Sequence, residues 1–588
     1  MKLPILNELP TSREMIDVFG GYNHNLRIGE GEFYDMTNLT SADYPVLSTR
    51  PQRGIYASPK NPSGLIEKDS LCYVDGTEIV INGYPTPIEM GLSTEPSDIE
   101  KRQLISMGSY IIIMPDKKYI NTANFGDKGN IEASFTTTGD FVSFTLCRAD
   151  GTSYGDAPSE STAPENPKDG DLWIDTSDNA YSLKQYSETN AQWISIATTY
   201  VRIDFKDVTV PFNVGDGITI VGITNEYLKD FNGTMVVQAV GHKYIVVIGI
   251  LAVPNISITD KLYVTRKMPA MDFIVESGNR LWGCRYGFNS EGNFVNEIYA
   301  SKLGDFKNWN VFAGISTDSY SASVGTDGQF TGATSHLGYP IFFKDNCMHK
   351  VYGNYPANFQ VQTINCRGVQ KDCHKSLAIV NEVLYYKSRN AVCMYDGSLP
   401  TEISSALGDV QYSNAVAGAI RNKYYISMMD DNGEYHLFVF DTKRGLWHRE
   451  DNTHAIEFCT CRGELYYIDD KKYIKTINTI SDVSHPFESG INWKAESGII
   501  GVNLPDKKYI SRLDVRMLLT VGTRAHFYIE YDSCGKWEHL FTMTGRTLQS
   551  FPVSIRPHRC DHMRIRMEGD GEAKIFSICK TIEQGSDI

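Results

Sequence analysis

Two short stretches contain residue types that bind metal ions. "FCTCRG" holds Cys459 and Cys461, and "PHRCDH" supplies four ligand-type residues, namely His558, Cys560, Asp561 and His562. A structural zinc site needs two CxxC-like halves or paired histidines, and neither stretch supplies that spacing. Alternate residues of a strand share one face, so Cys459 and Cys461 are predicted to lie on one buried face. A strand with outward-pointing polar residues accounts for the second stretch. We therefore expect no metal ion and no cofactor.

The sequence lacks the common short signatures of catalysis. It contains no G-x-S-x-G elbow, no H-E-x-x-H, no phosphate-binding P-loop, and no G-x-G-x-x-G placed between a strand and a helix. Glycoside hydrolysis uses two carboxyl groups, but its pair cannot be selected from 71 acidic residues without geometry. We expect no catalytic residues and no enzyme activity, and a glycan-processing enzyme is kept as an alternative.

Aromatic side chains provide the remaining candidate for ligand binding. An aromatic face offers apolar contact to a sugar ring, and most aromatic residues here alternate within strand-like runs, where they are predicted to pack in the core. Trp173 and Trp193 are different because they lie in a segment that interrupts the regular pattern. They are the candidate glycan contacts, although a structural role is favoured for both.

The elements that would position such residues are repeated hairpins. "IIIMPDKKYINT" at 111–122 and "LYYIDDKKYIKT" at 465–476 are near copies, with Asp116 and Asp470 in the predicted turns. The same shape, an apolar run followed by Asp, Asn or Gly and a second apolar run, occurs seven times, near residues 71, 110, 280, 341, 384, 424 and 465. Asp and Asn hydrogen-bond their own backbone and Gly tolerates positive φ, which suits chain reversal.

The spacing of these motifs indicates a β-propeller. The last four begin about 40 residues apart, the length of one four-stranded blade. The sequence thus predicts an all-β chain with about seven blade motifs, and the longer spacing between residues 281 and 341 leaves the blade number defined to within one. A third "PDKKYI", at 505–510, has no matching upstream strand and is predicted to be a similar turn in a different fold.

The rest of the chain is predicted to form inserted and terminal β units. The gap between the motifs near 110 and 280 exceeds one blade and contains a Pro- and Ser-rich stretch, then short strands with Gly-Asp-Gly and Asn-Gly turns. Beyond about 488 longer alternating strands indicate a β-sandwich. The predicted domains are an N-terminal extended arm (1–54), a first propeller part (55–140), inserted small β modules (141–265), a second propeller part (266–487) and a C-terminal β-sandwich (488–588).

Composition and charge narrow the classes of partner. The 588 residues exceed one usual core and carry a net charge of −15, with no long basic run that would bind a nucleic-acid backbone. The first fifteen residues contain two prolines and early charges where a secretory signal would be apolar. The longest apolar run, at 244–253, is about half of the roughly 20 residues of a membrane helix, so no membrane span is expected.

Both ends of the chain resemble a known family. "FGGYNHNLRIGEGEFYDMTNLTSADYPVLSTRPQRG" near the start is similar to the N-terminal signature of bacteriophage tail structural proteins, and "RPHRCDHMRIRMEGDGEAKIFSICKTIEQGSD" is similar to their last sandwich. The insert "ENPKDGDLWIDT" resembles a small module of phage tail and fibre proteins. The chain resembles the tail nozzle, or tail tubular protein B, of short-tailed phages or prophages.

This resemblance implies a place in the virion and a set of partners. Nozzle proteins form a ring, expected here to be a hexamer, that joins the tail adaptor ring and the fibres or spikes. Genomic DNA would pass through the lumen without specific binding, and an acidic wall would prevent it from sticking. Such a protein would be made in the host cytoplasm. A receptor-binding tail protein that recognises glycan is the other alternative.

Overall fold

The structure is a computed structural model, and it describes residues 11–139, 141–178, 181–289, 292–478, 488, 490–503 and 506–584. Strands account for 52% of the residues and helices for 4%, which confirms the predicted all-β class. The helical parts are α1 (Pro96–Glu100) and four short 3-10 helices at Glu226–Phe231, Pro356–Asn358, His374–Ser376 and Ser405–Leu407.

Six short strands precede the first blade. They are β1 (Thr11–Ile16), β2 (Gly21–Tyr22), β3 (Glu32–Thr37), β4 (Leu39–Thr40), β5 (Leu47–Thr49) and β6 (Gly54–Ala57). The first five belong to one sheet with strands from the other end of the chain, in which β1, β3 and β5 make the direct pairs, and β6 pairs within the propeller. The N-terminal segment is therefore built into two different sheets.

Seven four-stranded antiparallel sheets form the propeller. Blades 1 and 2 contain β7 (Pro62–Lys68), β8 (Ser70–Asp75), β9 (Glu78–Ile81), β10 (Ile88–Glu89), β11 (Gln103–Met107), β12 (Tyr110–Met114), β13 (Lys118–Asn121) and β14 (Lys128–Asn130). The remaining blades follow a long insertion.

The insertion contains thirteen strands in three sheets. They are β15 (Ala133–Thr136), β16 (Val142–Cys147), β17 (Ser159–Glu160), β18 (Leu172–Asp175), β19 (Ser182–Ser187), β20 (Gln192–Ser195), β21 (Tyr200–Phe205), β22 (Gly217–Val221), β23 (Gly233–Val236), β24 (Ala239–Gly241), β25 (Tyr244–Ile248), β26 (Asn255–Ile258) and β27 (Tyr263–Arg266). Two sheets, ordered β15-β27-β22-β23 and β24-β25-β21-β16-β26, share one apolar core. The third sheet, β17 to β20, is inserted between β16 and β21, so one module is inserted into another rather than following it.

The propeller then continues through blades 3 to 7. Their strands are β28 (Phe273–Ser277), β29 (Arg280–Phe288), β30 (Phe294–Ala300), β31 (Tyr320–Ser323), β32 (Gly332–His336), β33 (Tyr339–Lys344), β34 (Cys347–Tyr352), β35 (Gln360–Asn365), β36 (Ala378–Val380), β37 (Val383–Lys387), β38 (Val392–Tyr395), β39 (Thr401–Glu402), β40 (Ser413–Ile420), β41 (Lys423–Met429), β42 (Tyr435–Asp441), β43 (Leu446–Asp451), β44 (Ala455–Cys461), β45 (Glu464–Asp469) and β46 (Ile474–Thr476). The predicted motifs fall on the middle strands of the seven blades. The long spacing between residues 281 and 341 reflects a loop between β30 and β31.

The middle strands carry the motif because they are covered on both faces by neighbouring blades. Ile111, Ile112 and Ile113 of β12 are all fully buried and divide between two apolar clusters, one on each side of blade 2. Strands buried on both faces read as continuous apolar runs rather than alternating ones. This explains the "III" and "LYY" runs that identify the blades.

The propeller circle is closed by strands from distant parts of the chain. Blade 7 consists of β44, β45 and β46 with β6 as its outer strand, and β44 contacts β7 of blade 1. Lys475 and Thr476 of β46 pair with Ile55 and Gly54 of β6. Such pairing removes the open edge that an unclosed propeller would expose.

The C-terminal unit is a ten-stranded sheet that takes strands from both chain ends. Its C-terminal strands are β47 (Asn492–Ser497), β48 (Lys508–Tyr531), β49 (Glu538–Val553), β50 (Met563–Asp570) and β51 (Ala573–Gln584). β48 pairs with β51 along its first half and with β50 along its second, so the sheet folds over itself as the predicted sandwich does. Strands β1 to β5 complete it, and the third "PDKKYI" leads into β48 rather than into a blade.

The predicted domain bounds remain a prediction. Strands from one predicted domain pair with strands from another. The predicted arm, 1–54, contains five strands of the C-terminal sheet and the start of β6. Where the chain is described, no helix has the length and apolar character to cross a membrane.

The two near-copied hairpins provide a test of the repeat. Ile120 in blade 2 and Ile474 in blade 7 are equivalent in being fully buried tenth residues of the two copies, although Ile120 pairs with Ile111 and Ile474 with Ile468. Replacing either with Ala should lower the free energy of unfolding by about 2–5 kcal/mol, because each change leaves a cavity. Ile194→Ala, at a position that is 43% exposed, is the matched control and should change it by less than about 0.5 kcal/mol. Calorimetric melting of the three variants checks this, and a large loss at only one of the two buried positions would contradict their equivalence.

Candidate functional site

The two predicted glycan-contact tryptophans lie together on the small inserted sheet. Trp173 on β18 is 6% exposed, and its Nε1 donates a hydrogen bond to the Glu160 carbonyl at 3.0 Å. The Trp193 ring meets the Trp173 ring edge-on, with 5.5 Å between the centroids. The Lys184 ammonium lies 4.9 Å from the centroid of the Trp173 ring. Trp173 is therefore a packing residue in this structure. Trp193 is half-buried beside Tyr186. Glycan contact stays a prediction, and of the two tryptophans Trp193 is the one whose ring reaches the surface.

The ligand-type residues of the two candidate metal stretches do not converge on a common point. Cys461 on β44 is buried while Cys459 is only partly so. The Cys560 thiol donates to the Lys508 carbonyl at 3.5 Å, whereas His562 contacts the Asp561 carboxylate at 2.9 Å and the Ser533 hydroxyl at 2.7 Å. Within the described ranges, the group with metal-like spacing is a different one, formed by Asp430, Glu434 and His436 in the turn between β41 and β42.

The two turn aspartates differ in their roles. Asp116 is buried and accepts from Arg102 Nη2 at 3.0 Å, and Arg102 also donates to the Ser63 hydroxyl of blade 1 at 2.6 Å. This ion pair therefore connects two blades. Asp470 is exposed, and its neighbour Asp469 organises the second turn by accepting from the backbone N–H of Tyr473 at 2.8 Å.

A cluster of five charged residues and one asparagine connects the N-terminal segment, the propeller and the C-terminal sheet. We name this cluster the joint, and it consists of Asn38, Arg50, Arg53, Glu450, Asp451 and Glu488. Arg53 donates to Glu450 at 2.5 Å and to Asp451 at 2.7 Å, both on or next to blade 6. Arg50 donates to Glu488 at 2.7 Å. Both arginines are 4% exposed, so their charges depend on these partners.

Asn38 positions Arg50 in the joint. Its side-chain oxygen accepts from Arg50 Nε at 2.7 Å, and its amide donates to the Asn492 carbonyl of β47 at 2.7 Å. Its backbone N–H donates to the Glu450 carbonyl at 2.6 Å, and its φ is +58°. Asn adopts this left-handed conformation more readily than most residues. One residue thus contacts β43, β47 and the arginine at once.

Asp451 and Glu488 of the joint have lowered pKa values because the arginines more than compensate for burial. Burial alone would raise the pKa of Asp451, but the charges of Arg53 and Arg50 lower it below its ordinary value. Burial likewise opposes the charge of Arg53, and Asp451 with Glu450 more than restores it, so the pKa of Arg53 lies well above the usual one. The joint is therefore a matched set in which removal of one charge leaves another buried and unpaired.

The propeller channel is crossed by a segment of blade 5, which we name the channel segment (residues 371–377). The His374 ring lies 5.2 Å from the Phe273 ring of blade 3, and Lys375 Nζ lies 2.9 Å from the Glu457 carboxylate of blade 7. Tyr424 of blade 6 donates to the Ser376 carbonyl at 2.8 Å. A segment of blade 5 that reaches blades 3 and 7 must lie across the propeller axis.

Glu457 extends this bridge to blade 1, since its second carboxylate oxygen accepts from the Leu65 backbone N–H at 3.1 Å. Burial, and then the charge of Lys375, lower the pKa of His374 to about 4, so the imidazole is neutral near pH 7. The Glu457 carboxylate therefore contacts the channel segment and blade 1 at once.

A cavity of about 650 Å³ lies beside the joint, between blade 6, the N-terminal segment and the C-terminal sheet. We name it the joint cavity. Residues that line it include Thr40 and Tyr44 from the N-terminal segment, Lys423 and Asp441 from blade 6, and Lys574 from β51. Its volume lies within the range of small-molecule sites.

No family model and no curated protein matches the chain. Solved structures with a similar fold include exo-β-1,3-galactanase from Phanerochaete chrysosporium, at 9% identity and a TM-score of 0.19, covering 52% of this chain and 94% of that chain. A GH43 glycoside hydrolase shares 7% identity at a TM-score of 0.20, covering 53% and 97%. Raptor from Chaetomium thermophilum shares 12% identity at a TM-score of 0.26, covering 73% of this chain and 29% of that chain.

These comparisons correct one expectation. The sequence led us to expect no enzyme, and that expectation was wrong, because glycoside hydrolases stand among the similar structures. Likeness at these TM-scores carries no argument about a particular reaction. The class that the structure itself defines is a seven-bladed β-propeller protein with an inserted β unit and a C-terminal sheet.

Sequence reasoning missed the joint although it quoted the residues. "NLT" and "STRPQRG" contain Asn38, Arg50 and Arg53, but the partners Glu450 and Asp451 lie about 400 positions further along the chain. The available signal was two arginines three residues apart within a Pro-containing stretch, directly before the closing strand. A lone sequence does not show which of its acidic residues they meet.

The joint makes a prediction about coupled charges. Arg53→Met or Glu450→Gln alone should lower the free energy of unfolding by about 3–5 kcal/mol, because each leaves a buried charge without its partner. The double variant should lose clearly less than the sum of the two. Chemical unfolding of the three proteins measures this. Arg367→Gln, in an exposed ion pair with Glu402, is the control and should change stability by at most about 1 kcal/mol. Additive losses would contradict the pairing.

His448 in β43 makes a prediction about pH. The side chain is 3% exposed, both ring nitrogens lack a hydrogen-bond partner, and burial followed by the charge of Lys423 lowers its pKa to about 3. The ordinary histidine pKa is about 6.5, so between these values the unfolded chain binds a proton that the folded chain does not. Stability should therefore fall as the pH decreases from about 6.5 towards 3.

The His448→Leu variant should show a shallower loss of melting temperature over this range, because the titrating group is gone. The exposed His242→Gln variant is the control and should follow the wild type. Melting temperatures at a series of pH values measure both. Equal slopes for His448→Leu and wild type would contradict the role assigned to the buried imidazole.

Proposed function

We propose that this chain is a structural subunit of a bacteriophage tail, in the position of the nozzle ring at the distal end. The observation that carries the proposal is the place of the N-terminal signature. Three residues of the signature stretch 19–54, namely Asn38, Arg50 and Arg53, belong to the joint between the propeller and the C-terminal sheet. The signature thus contains residues that hold two units of the chain together.

The closed propeller supports a structural role. The circle is sealed by β6, and the channel segment ties blade 5 to blades 3, 6 and 7. Each propeller is thus a circle of local hairpins that one non-local strand pair and the contacts of the channel segment hold closed. Identical rigid bodies joined by heterologous contacts form rings when the rotation between neighbours closes.

The channel segment also indicates where DNA would pass. Because it crosses the axis of the propeller, the conduit in the proposed ring is the central opening between subunits and not the channel within one propeller. The net charge of −15 for each copy would keep such a wall from binding the DNA backbone. The adaptor ring, fibres and a hexameric state are parts of this proposal.

A second candidate is a glycan-processing propeller, in line with the sequence-based alternative. The observation in its favour is that the joint cavity has the size of a ligand site and receives carboxylates from two parts of the chain, Asp43 and Asp441. Glycoside hydrolysis uses such a pair on either side of the scissile bond. Glycan recognition through the half-exposed Trp193 is the related binding alternative.

Electron microscopy of the purified full chain separates these functions. The nozzle proposal expects closed rings, six-fold if the hexamer is right, that bind isolated tails lacking their distal end. Monomers or trimeric spikes that do not bind such tails would overturn it. Release of reducing sugar from host-surface polysaccharide, lost in Asp441→Asn but retained in Lys536→Gln, would favour the glycan-processing function instead.

A further inference from the structure

The joint cavity has an unbalanced set of charges. Two of its acidic residues have cationic partners, since Asp43 pairs with Lys574 at 2.9 Å and Glu450 pairs with Arg53. Asp441, which accepts from the Ser41 hydroxyl at 2.6 Å, and Glu572 also line the cavity. Four cations on the walls outnumber these two carboxylates, namely Arg421, Lys423, Lys443 and Arg444. None of the four forms a carboxylate ion pair among the described residues.

Two of these cations are held towards the cavity by uncharged partners. Lys423 Nζ donates to the Thr40 hydroxyl at 2.6 Å, and the Arg444 guanidinium lies 4.5 Å from the centroid of the Tyr44 ring. Burial lowers the pKa of Lys423, the charges of Glu450 and Asp441 only partly offset this, and the charge of Arg421 lowers the pKa further. An anion within the cavity would supply the missing partner.

Arg421 stands in the turn between β40 and β41 with a φ of +53°. That conformation favours glycine or asparagine, and an arginine there adopts it at a cost of about 1 kcal/mol. Its side chain lines the cavity beside Lys423, and its charge adds to the positive charge there.

We propose that the joint cavity is a binding site for a small phosphate-bearing ligand, held by Lys423, Lys443, Arg421 and Arg444. Guanidinium and ammonium groups that converge from two turns suit the several oxygens of a phosphate. A nucleic-acid duplex does not fit a cavity of about 650 Å³, which limits the ligand to a small molecule. Local positive charge in a chain of net charge −15 makes the site selective for anions.

A ligand in this site would contact both walls of the joint cavity. Thr40 and Tyr44 belong to the N-terminal segment, whereas Lys423 and Arg444 belong to blade 6. Binding would thus stabilise the attachment of the N-terminal segment to the propeller by the ordinary linkage between ligand and folded state. The site does not depend on the proposed tail function, whereas the glycan-processing alternative would use the same cavity.

Calorimetric titration and thermal melting of the full chain with inorganic phosphate, pyrophosphate and citrate test the site at constant ionic strength. Pyrophosphate should bind and raise the melting temperature. Phosphate should do so more weakly, and citrate should act at least tenfold more weakly than pyrophosphate. Sodium chloride at equal ionic strength should have no such effect.

The variants Lys423→Met and Arg421→Gln/Lys443→Gln should each weaken pyrophosphate binding at least tenfold. Lys443 and Arg421 are exposed, so the second variant keeps the proposal testable if Lys423→Met fails to fold. Lys536→Gln, an exposed lysine in the turn after β48, is the matched control and should bind as the wild type does. Equal binding by wild type and both variants, or an equal response to chloride, would overturn the proposal. Citrate binding as tight as pyrophosphate would replace phosphate by a carboxylate ligand and so overturn the phosphate assignment.

Discussion

The attachment of Arg50 and Arg53 to three acidic residues is the constraint on which the rest of the structure depends. Charges that are 4% exposed can exist only with partners, and these partners come from blade 6 and from Glu488. The two arginines also fix the path of the chain immediately before β6, the strand that closes the propeller. A single short stretch therefore determines how the N-terminal segment leaves the C-terminal sheet and where the propeller circle ends.

The propeller adds a second level of closure. Neighbouring blades are covered by apolar clusters on both faces, and the channel segment connects opposite sides of the ring through Lys375 and Glu457. Because the ion pair lies across the axis, it resists separation of blade 5 from blade 7 rather than of adjacent blades. The inserted unit has its own apolar core, and Asp216 at its base pairs with Arg266 and accepts from Asn308 near blade 3. Each part is thus rigid by itself and tied to the next by buried polar contacts.

The blades were predictable from sequence because their physical cause is local. Apolar runs such as 111–114 and turn residues such as Asp116 lie within one hairpin, and all seven motifs fall on middle strands. The joint and channel segment were not predictable, since Arg53 meets Glu450 and Lys375 meets Glu457 only after the circle closes. The nested order of the inserted sheets was missed for the same reason: β16 pairs with β21 across the small sheet that contains Trp173. The expectation of no enzyme relied on the absence of short catalytic signatures. Such an absence does not exclude catalysis by a propeller.

The joint is expected to make the N-terminal segment, blade 6 and the C-terminal sheet unfold together, as one cooperative unit. Hydrogen exchange of the full chain, read at β3, β43 and β47, measures it most directly. The account predicts similar protection for all three strands in the wild type and a parallel loss in Arg53→Met. Fast exchange of β3 and β47 beside a fully protected β43 in the wild type would contradict it.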